Sequence, residues 1–280
     1  MSFFERFIER LNFEVEEPTP LGHFHLLFVL LVLAAVVGCF FLRNVSSRTF
    51  RIIIGSMFAL MFILEVLKQF SFSMTFTDGV CEYSYAWTDF PFQLCSTPLY
   101  VLPLLAFLPD CGLRDFAASY TMTYGLIGGT AVYLFPDTVF TTSIFINIQT
   151  MIHHGIQLVS GVFVAFWYRK RINRKFFLGG VAIFGVMFAV ANLLNTVGYD
   201  LLLSKGIIES GAKFNMFYIS PRADQEMPLM SEFFKSLPPS VLIIGYFILL
   251  TVGAFLVTYA VHLIDRFSEK YASKTEDPAC

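Results

Sequence analysis

The residues of this chain that could do chemistry begin with a thiol at position 95, set in the stretch "DFPFQLCSTPLY" (89–100). Gln93, Ser96 and Thr97 surround Cys95, with Pro91, Pro98 and Pro103 nearby, in a run that is otherwise apolar. A thiol attacks only as a thiolate, which calls for a base or cation beside it, and histidine is the usual supplier. His153 and His154 lie together in another apolar run. There Gln149, His153, Gln157 and Ser160 recur at intervals of four, four and three, a polar stripe on one helical face that turns His153 inward. His154 shares a neighbouring face with Asn147 and Thr150, only about 100° away, so either ring could reach the interior.

Each of these residues also has a plainer reading. An unpaired cysteine packs well as a small hydrophobe, and a buried histidine can serve structure alone. Glu65 and Lys68, three residues apart, could satisfy one another as an ion pair. Pro98 and Pro103 have no N–H to give, which predicts a kinked helix with the carbonyls of Leu94 and Leu99 freed beside the thiol. The other thiols, Cys39, Cys81, Cys111 and Cys280, form no disulfide framework. A Cys81–Cys95 bridge is the exception that would remove the nucleophile.

The elements that must hold these groups are helices in a membrane. The 280 residues are 56% hydrophobic and 14% charged, with 34 phenylalanines, a composition foreign to soluble domains. Apolar windows long enough to cross a bilayer recur near 23–42, 50–72, 90–108, 115–135, 144–168, 176–198 and 238–264. The expected fold is therefore all-α, a polytopic bundle of about seven transmembrane helices. Short loops carrying Arg43, Arg48 and Arg51, and Arg169 to Lys175, should be cytoplasmic, which puts the amino terminus outside and the carboxyl terminus inside. The chain then divides into an amphipathic segment 1–22, a membrane domain 23–265 with an outer loop or lid at 199–237, and a cytoplasmic tail 266–280.

Helical rise turns this plan into depths. Cys95 falls about 8 Å and the two histidines about 14 Å from the outer ends of their spans, while Glu65, Asn192 and Asn195 lie about 22 to 28 Å above the inner ends. All reach the outer half, the pattern of a polar cavity. The small residues of "GLIGGTAVYLF" suit close helix packing. Near-zero net charge gives no reason for a nucleic-acid partner, and neither a phosphate-binding loop nor a metal motif is present, so no cofactor and no metal is expected.

"FPFQLCSTPLYVLPL", "MIHHG" and "NLLNTVGYDLL" followed by "NMFYISPR" resemble the YwaF-like integral membrane proteins over roughly residues 20–265. That family is similar to eukaryotic membrane proteins implicated in acyl transfer on ether phospholipids, and more distantly to membrane hydrolases that use a threonine and a histidine. The resemblance implies Cys95 as the acyl-accepting nucleophile and His154, the histidine before Gly155, as its base, whereas the polar stripe favours His153. The chain departs from the family pattern in its long, charged 205–236 connection, where Asn215 lies. Two functions result. One is a multi-pass lipid acyltransferase or acyl hydrolase of the cell membrane acting on a phospholipid or other acyl-lipid. The other is a transporter or ligand-binding bundle whose polar cavity is lined by Glu65, Gln93, Gln149, Gln157, Asn192, Asn195 and Asn215.

Overall fold

Three of the long helices are started by a side chain at their head. Ser46 Oγ accepts from Thr49 N at 3.2 Å, Ser143 Oγ from Ile146 N at 3.4 Å and Asn173 Oδ1 from Phe176 N at 3.0 Å. Each satisfies one of the N–H groups that a helix start leaves free. The computed structural model describes residues 1–223 and 238–275. In chain order these form α1 (Phe3–Leu11), α2 (His23–Phe41), α3 (Ser47–Ser73), a hairpin of β1 (Met74–Thr77) and β2 (Val80–Tyr83), α4 (Pro98–Phe107), α5 (Gly112–Tyr120), α6 (Leu126–Leu134), α7 (Ile144–Tyr168), α8 (Arg174–Leu193), α9 (Tyr199–Ser204) and α10 (Pro239–Thr275). A π-turn at Thr121–Gly125 joins α5 to α6, and another at Leu194–Gly198 joins α8 to α9.

The protein is an all-α, multi-pass membrane protein. Among the described residues five helical segments are long and apolar enough to span: His23–Phe41, Ser47–Ser73, Ile144–Arg171, Arg174–Ser204 and Ser240–Ser268. The apolar stretch Leu94–Phe107 is shorter, and the α5–α6 run is not among the five. Of the spanning windows, that of α7 is 72% buried against 11% for α2, so α7 is the axis on which α2, α3 and α6 pack. Small residues allow the closest of these crossings. A Cβ on Gly129 would lie 2.7 Å from His154 O, and one on Gly161 would lie 2.8 Å from Leu126 Cβ. Of the glycines in "GLIGG", Gly129 thus serves close packing, with Gly128 next to it against Gln157.

One end of the bundle carries a collar. Helix α1 opens with a capping box between Ser2 and Glu5, buries Ile8, and sets Phe4 edge-on to Phe70 at 5.0 Å. Phe3 and Phe7 stay exposed, in keeping with the amphipathic reading of this segment. The hairpin turns at Asp78-Gly79, both at positive φ (52° and 77°), as a tight two-residue turn requires. Hydropathy alone reads 73–89 as plain connection, since the hairpin strands are short and only partly buried.

The expected outer loop at 199–237 is different in form. Helix α9 continues to Ser204, and the chain then returns so that Phe214, Met216, Phe217 and Ile219 are buried. Its remainder, 224–237 with Lys235, lies outside the described residues, as do 276–280 with Cys280. The first part of the expected tail is helical, since α10 runs to Thr275.

Candidate functional site

The stretch around Cys95 is not a kinked helix. Leu94–Ser96 form a single 3-10 turn, and α4 begins at Pro98, which occupies the first helical position where a missing N–H costs nothing. The expected kink at Pro98 is therefore a helix start. Leu94 O, which Pro98 cannot serve, accepts instead from Thr97 Oγ1 at 2.6 Å, and Thr97 in turn meets Tyr120 OH at 2.6 Å. Cys95 is left half-buried ahead of a helix, on extended-to-turn backbone whose carbonyls need outside partners.

Helix α7 supplies them from the polar stripe. His153 Nε2 lies 2.9 Å from Cys95 O, and Gln157 Nε2 donates to the same oxygen. A carbonyl only accepts, so His153 carries its proton on Nε2 and presents Nδ1 as an acceptor. Gln149 Nε2 faces that Nδ1 at 3.5 Å and Glu65 Oε2 at 3.4 Å. Glu65 also accepts from Gln69 Nε2 at 2.8 Å and pairs with Lys68 at 3.4 Å, the ion pair read from spacing. Gln69 is itself held by Asp89 O at 2.9 Å and by Tyr85 OH at 2.8 Å. Burial pushes the Tyr85 phenol up, with Tyr83, Glu65 and Asp89 adding to it, so the hydroxyl keeps the proton it donates. A chain of hydrogen bonds that converges on Glu65 from both sides thus runs from the collar to the backbone of Cys95.

His154 faces elsewhere. Its Nδ1 donates to Thr150 O at 2.7 Å, one turn back on its own helix, and its ring centre is 5.7 Å from that of His153. Neither imidazole hydrogen-bonds the Cys95 sulfur among the described residues; the contact to Cys95 is made through its carbonyl. Cys81 and Cys95 are both free thiols, so the bridge that would remove the nucleophile is absent. Gln157 Oε1 is buried without a hydrogen-bond partner among the described residues.

The remaining polar residues form a second cluster with a different purpose. Asn195 grips Met216 with both ends of its amide, accepting from Met216 N at 2.7 Å and donating to Met216 O at 2.8 Å. Gln93 does the same across the next peptides, donating to Asn215 O at 2.8 Å and accepting from Phe217 N at 2.8 Å. Asn215 Oδ1 accepts from Ser220 N at 2.8 Å. These amides let irregular backbone lie buried inside an apolar bundle, which is permitted only when its polar groups are satisfied by protein. Phe217 and Tyr218 sit at φ 58°, a left-handed conformation costly for bulky residues, on the order of 1–3 kcal/mol each. Stacking of Phe217 on Phe92 (5.8 Å) and Phe184 (6.4 Å) holds it there.

Arg222 closes this cluster. In the π-turn the N–H of Tyr199 reaches Leu194 O, and Asn195 O accepts from Arg222 Nη1 at 3.0 Å. Arg222 also grips Asp200 at 2.9 and 3.1 Å and lies over the Tyr199 ring. Asn192 is half-buried, and its side chain joins neither cluster. Gln69, Tyr85 and Arg222 were not singled out from sequence. Gln69 was findable, since it stands four residues after Glu65 on one helical face; Tyr85 and Arg222 belong to irregular chain, where no period marks an inward side chain.

A groove of about 340 Å³ opens beside the first cluster, with Phe58, Phe62, Val66, Leu99 and Tyr100 as apolar walls and Glu65 among its lining. The site is thus a half-buried thiol on immobilised backbone, a histidine oriented by an amide and a carboxylate, and an apolar groove that reaches the carboxylate. Neither a curated protein nor a solved structure matches the chain. The family model described as the TMEM164 family matches residues 20–260, which take in every residue of both clusters, and the chain belongs to that family of transmembrane proteins.

Proposed function

We propose that the protein is an integral membrane lipid acyltransferase or acyl hydrolase that uses Cys95 as its nucleophile and His153 as its base. The observation that carries this reading is the fixation of the Cys95 main chain by His153 at 2.9 Å, with the same ring oriented through Gln149 by Glu65. A nucleophile beside a base, with the base held by a third group, is the general arrangement for covalent catalysis. The resemblance to YwaF-like proteins implied His154, but that ring is turned to its own helix. Moving the imidazole proton to Nδ1 frees Nε2 to accept the thiol proton, and turning the Gln149 amide oxygen to receive that proton exchanges the Gln149–Glu65 bond for one to the ring.

Chemically, the Cys95 sulfur attacks an ester carbonyl carbon as its proton passes to His153. The S–C bond forms, the C–O bond breaks, and the leaving lysolipid oxygen takes the proton from His153. An acceptor alcohol, or water in the hydrolytic case, then attacks the thioester, losing its proton to His153, and the thiol is regenerated. The groove walled by Phe58, Phe62 and Leu99 suits the acyl chain. In this reading α4 with its preceding turn and the α5–α6 run complete a seven-span bundle of the cell membrane, amino terminus outside and carboxyl terminus cytoplasmic. A transport role has less support, because Gln93, Asn195 and Asn215 spend their polar atoms on buried backbone rather than on a path.

Lipid mass spectrometry of membranes expressing each variant at matched levels tests this. Cys95→Ser should abolish acyl-chain remodelling, and His153→Gln should slow it by about 10²–10⁴-fold, the usual worth of a general base. His154→Gln should cost far less. Remodelling that persists unchanged in Cys95→Ser would end the covalent reading in favour of binding or transport.

A further inference from the structure

At the end of the bundle opposite the collar, a cavity of about 630 Å³ lies between the ends of α2, α7 and α10 and the start of α6. Its rim carries Arg43, Arg169 and Lys170 against a single carboxylate, Asp265. Arg169 is built in: it donates to Asn44 Oδ1 at 3.0 Å and to Phe166 O, and its Nε pairs with Asp265 at 3.6 Å. Arg43 lies flat over the Phe40 ring at 3.8 Å and sends one Nη1 bond to Phe40 O at 3.2 Å. It has no carboxylate partner among the described residues, so its remaining N–H groups are available to an anion.

The cavity does not stop at the rim. Leu126, Val162, Ala165, Val261 and Ile264 line it below the cations. Val162 on α7 precedes Arg169 by seven residues, and Val261 precedes Asp265 by four on α10. These place the apolar floor about 6 to 10 Å below the charged rim. A soluble anion has no use for such a floor, whereas a phospholipid presents a phosphate at headgroup level and chains beneath it. We infer that this cavity binds an anionic phospholipid, with Arg43 and Arg169 on the phosphate and an acyl chain between α7 and α10. Basic pockets between membrane helices recognise headgroups in this way. The inference does not depend on the chemistry proposed for Cys95.

The test uses the full chain in nanodiscs of phosphatidylcholine containing a minority of phosphatidylglycerol, with bound lipid counted by native mass spectrometry after release. Wild-type protein should retain phosphatidylglycerol in preference to phosphatidylcholine. Arg43→Gln, which removes one cation and leaves the Arg169 network in place, should weaken that retention about fivefold, the worth of one basic group at a membrane surface. Val162→Trp, which fills the floor and leaves every charge intact, should also lower it. Equal retention of the two lipids by wild type, or retention unchanged in both variants, overturns the proposal. Displacement of the lipid by free glycerol phosphate at matched phosphate concentration also overturns it, since the ligand would then be a soluble phosphate. Cys95→Ser should keep the bound lipid, so failure of the acyl chemistry and failure of this site are read separately.

Discussion

Asn195 and Cys95 differ in what their replacement should cost. Asn195→Ala leaves Met216 N–H and C=O unpaired inside the bundle, which should lower stability by about 2–4 kcal/mol. Asn195→Asp is the sharper variant: it keeps the acceptor for Met216 N but sets a carboxylate oxygen against Met216 O, so it should be at least as damaging despite its matching shape. Thermal unfolding in detergent measures both. Cys95→Ser should leave the melting temperature near that of the parent, because the bonds at this residue are made by its carbonyl. At this scale several residues expected to line a polar cavity are engaged with buried backbone instead. The period of Gln149, His153 and Gln157 correctly turned them to one face. The same arithmetic could not show that Gln93, Asn195 and Asn215 serve backbone, because their partner segment lies between helices and has no period to read.

Among the elements, the α6–α7 crossing leaves no room for an added methyl. Gly129→Ala would bring a methyl to 2.7 Å from both His154 O and Leu158 N, forcing the helices apart at a cost of about 1–3 kcal/mol. Because His153 and Gln157 ride on α7, that variant should also lower turnover. Gly245→Ala on α10 meets nothing within 4 Å and should be neutral or slightly stabilising. Denaturation midpoints of the pair, with lipid turnover for the first, check both. Long helices were legible from apolar run length, as α2, α3, α7, α8 and α10 bear out. The opening of α4 was not, for proline is compatible with either the interior kink or the first helical turn, and an apolar run looks the same in both.

At the scale of the whole molecule, the cytoplasmic side assigned to the basic loops predicts that Cys81 and Cys111 face opposite compartments. Cys81 lies on the hairpin and Cys111 is exposed between α4 and α5. In cells carrying only one of these thiols, a membrane-impermeant maleimide should label Cys81 from outside and reach Cys111 only after permeabilisation. Burial first, and then Glu5 and Glu9, hold the Cys81 thiol above its ordinary range. Less thiolate is therefore present at neutral pH, and the labelling rate should climb as pH rises through the alkaline range. Labelling of both from outside would refute the topology.

The α3–α4 groove has a kinetic consequence. Exposed Phe62 and Val66 on its wall belong to the apolar surface of α3, so under the proposed function a lipid would approach Glu65 sideways, from within the bilayer. An active site supplied in this way responds to the mole fraction of substrate in the plane of the membrane and not to its amount per volume. Adding inert lipid or detergent at fixed total substrate should therefore slow the reaction by surface dilution, while diluting whole vesicles with buffer should leave the rate per enzyme unchanged.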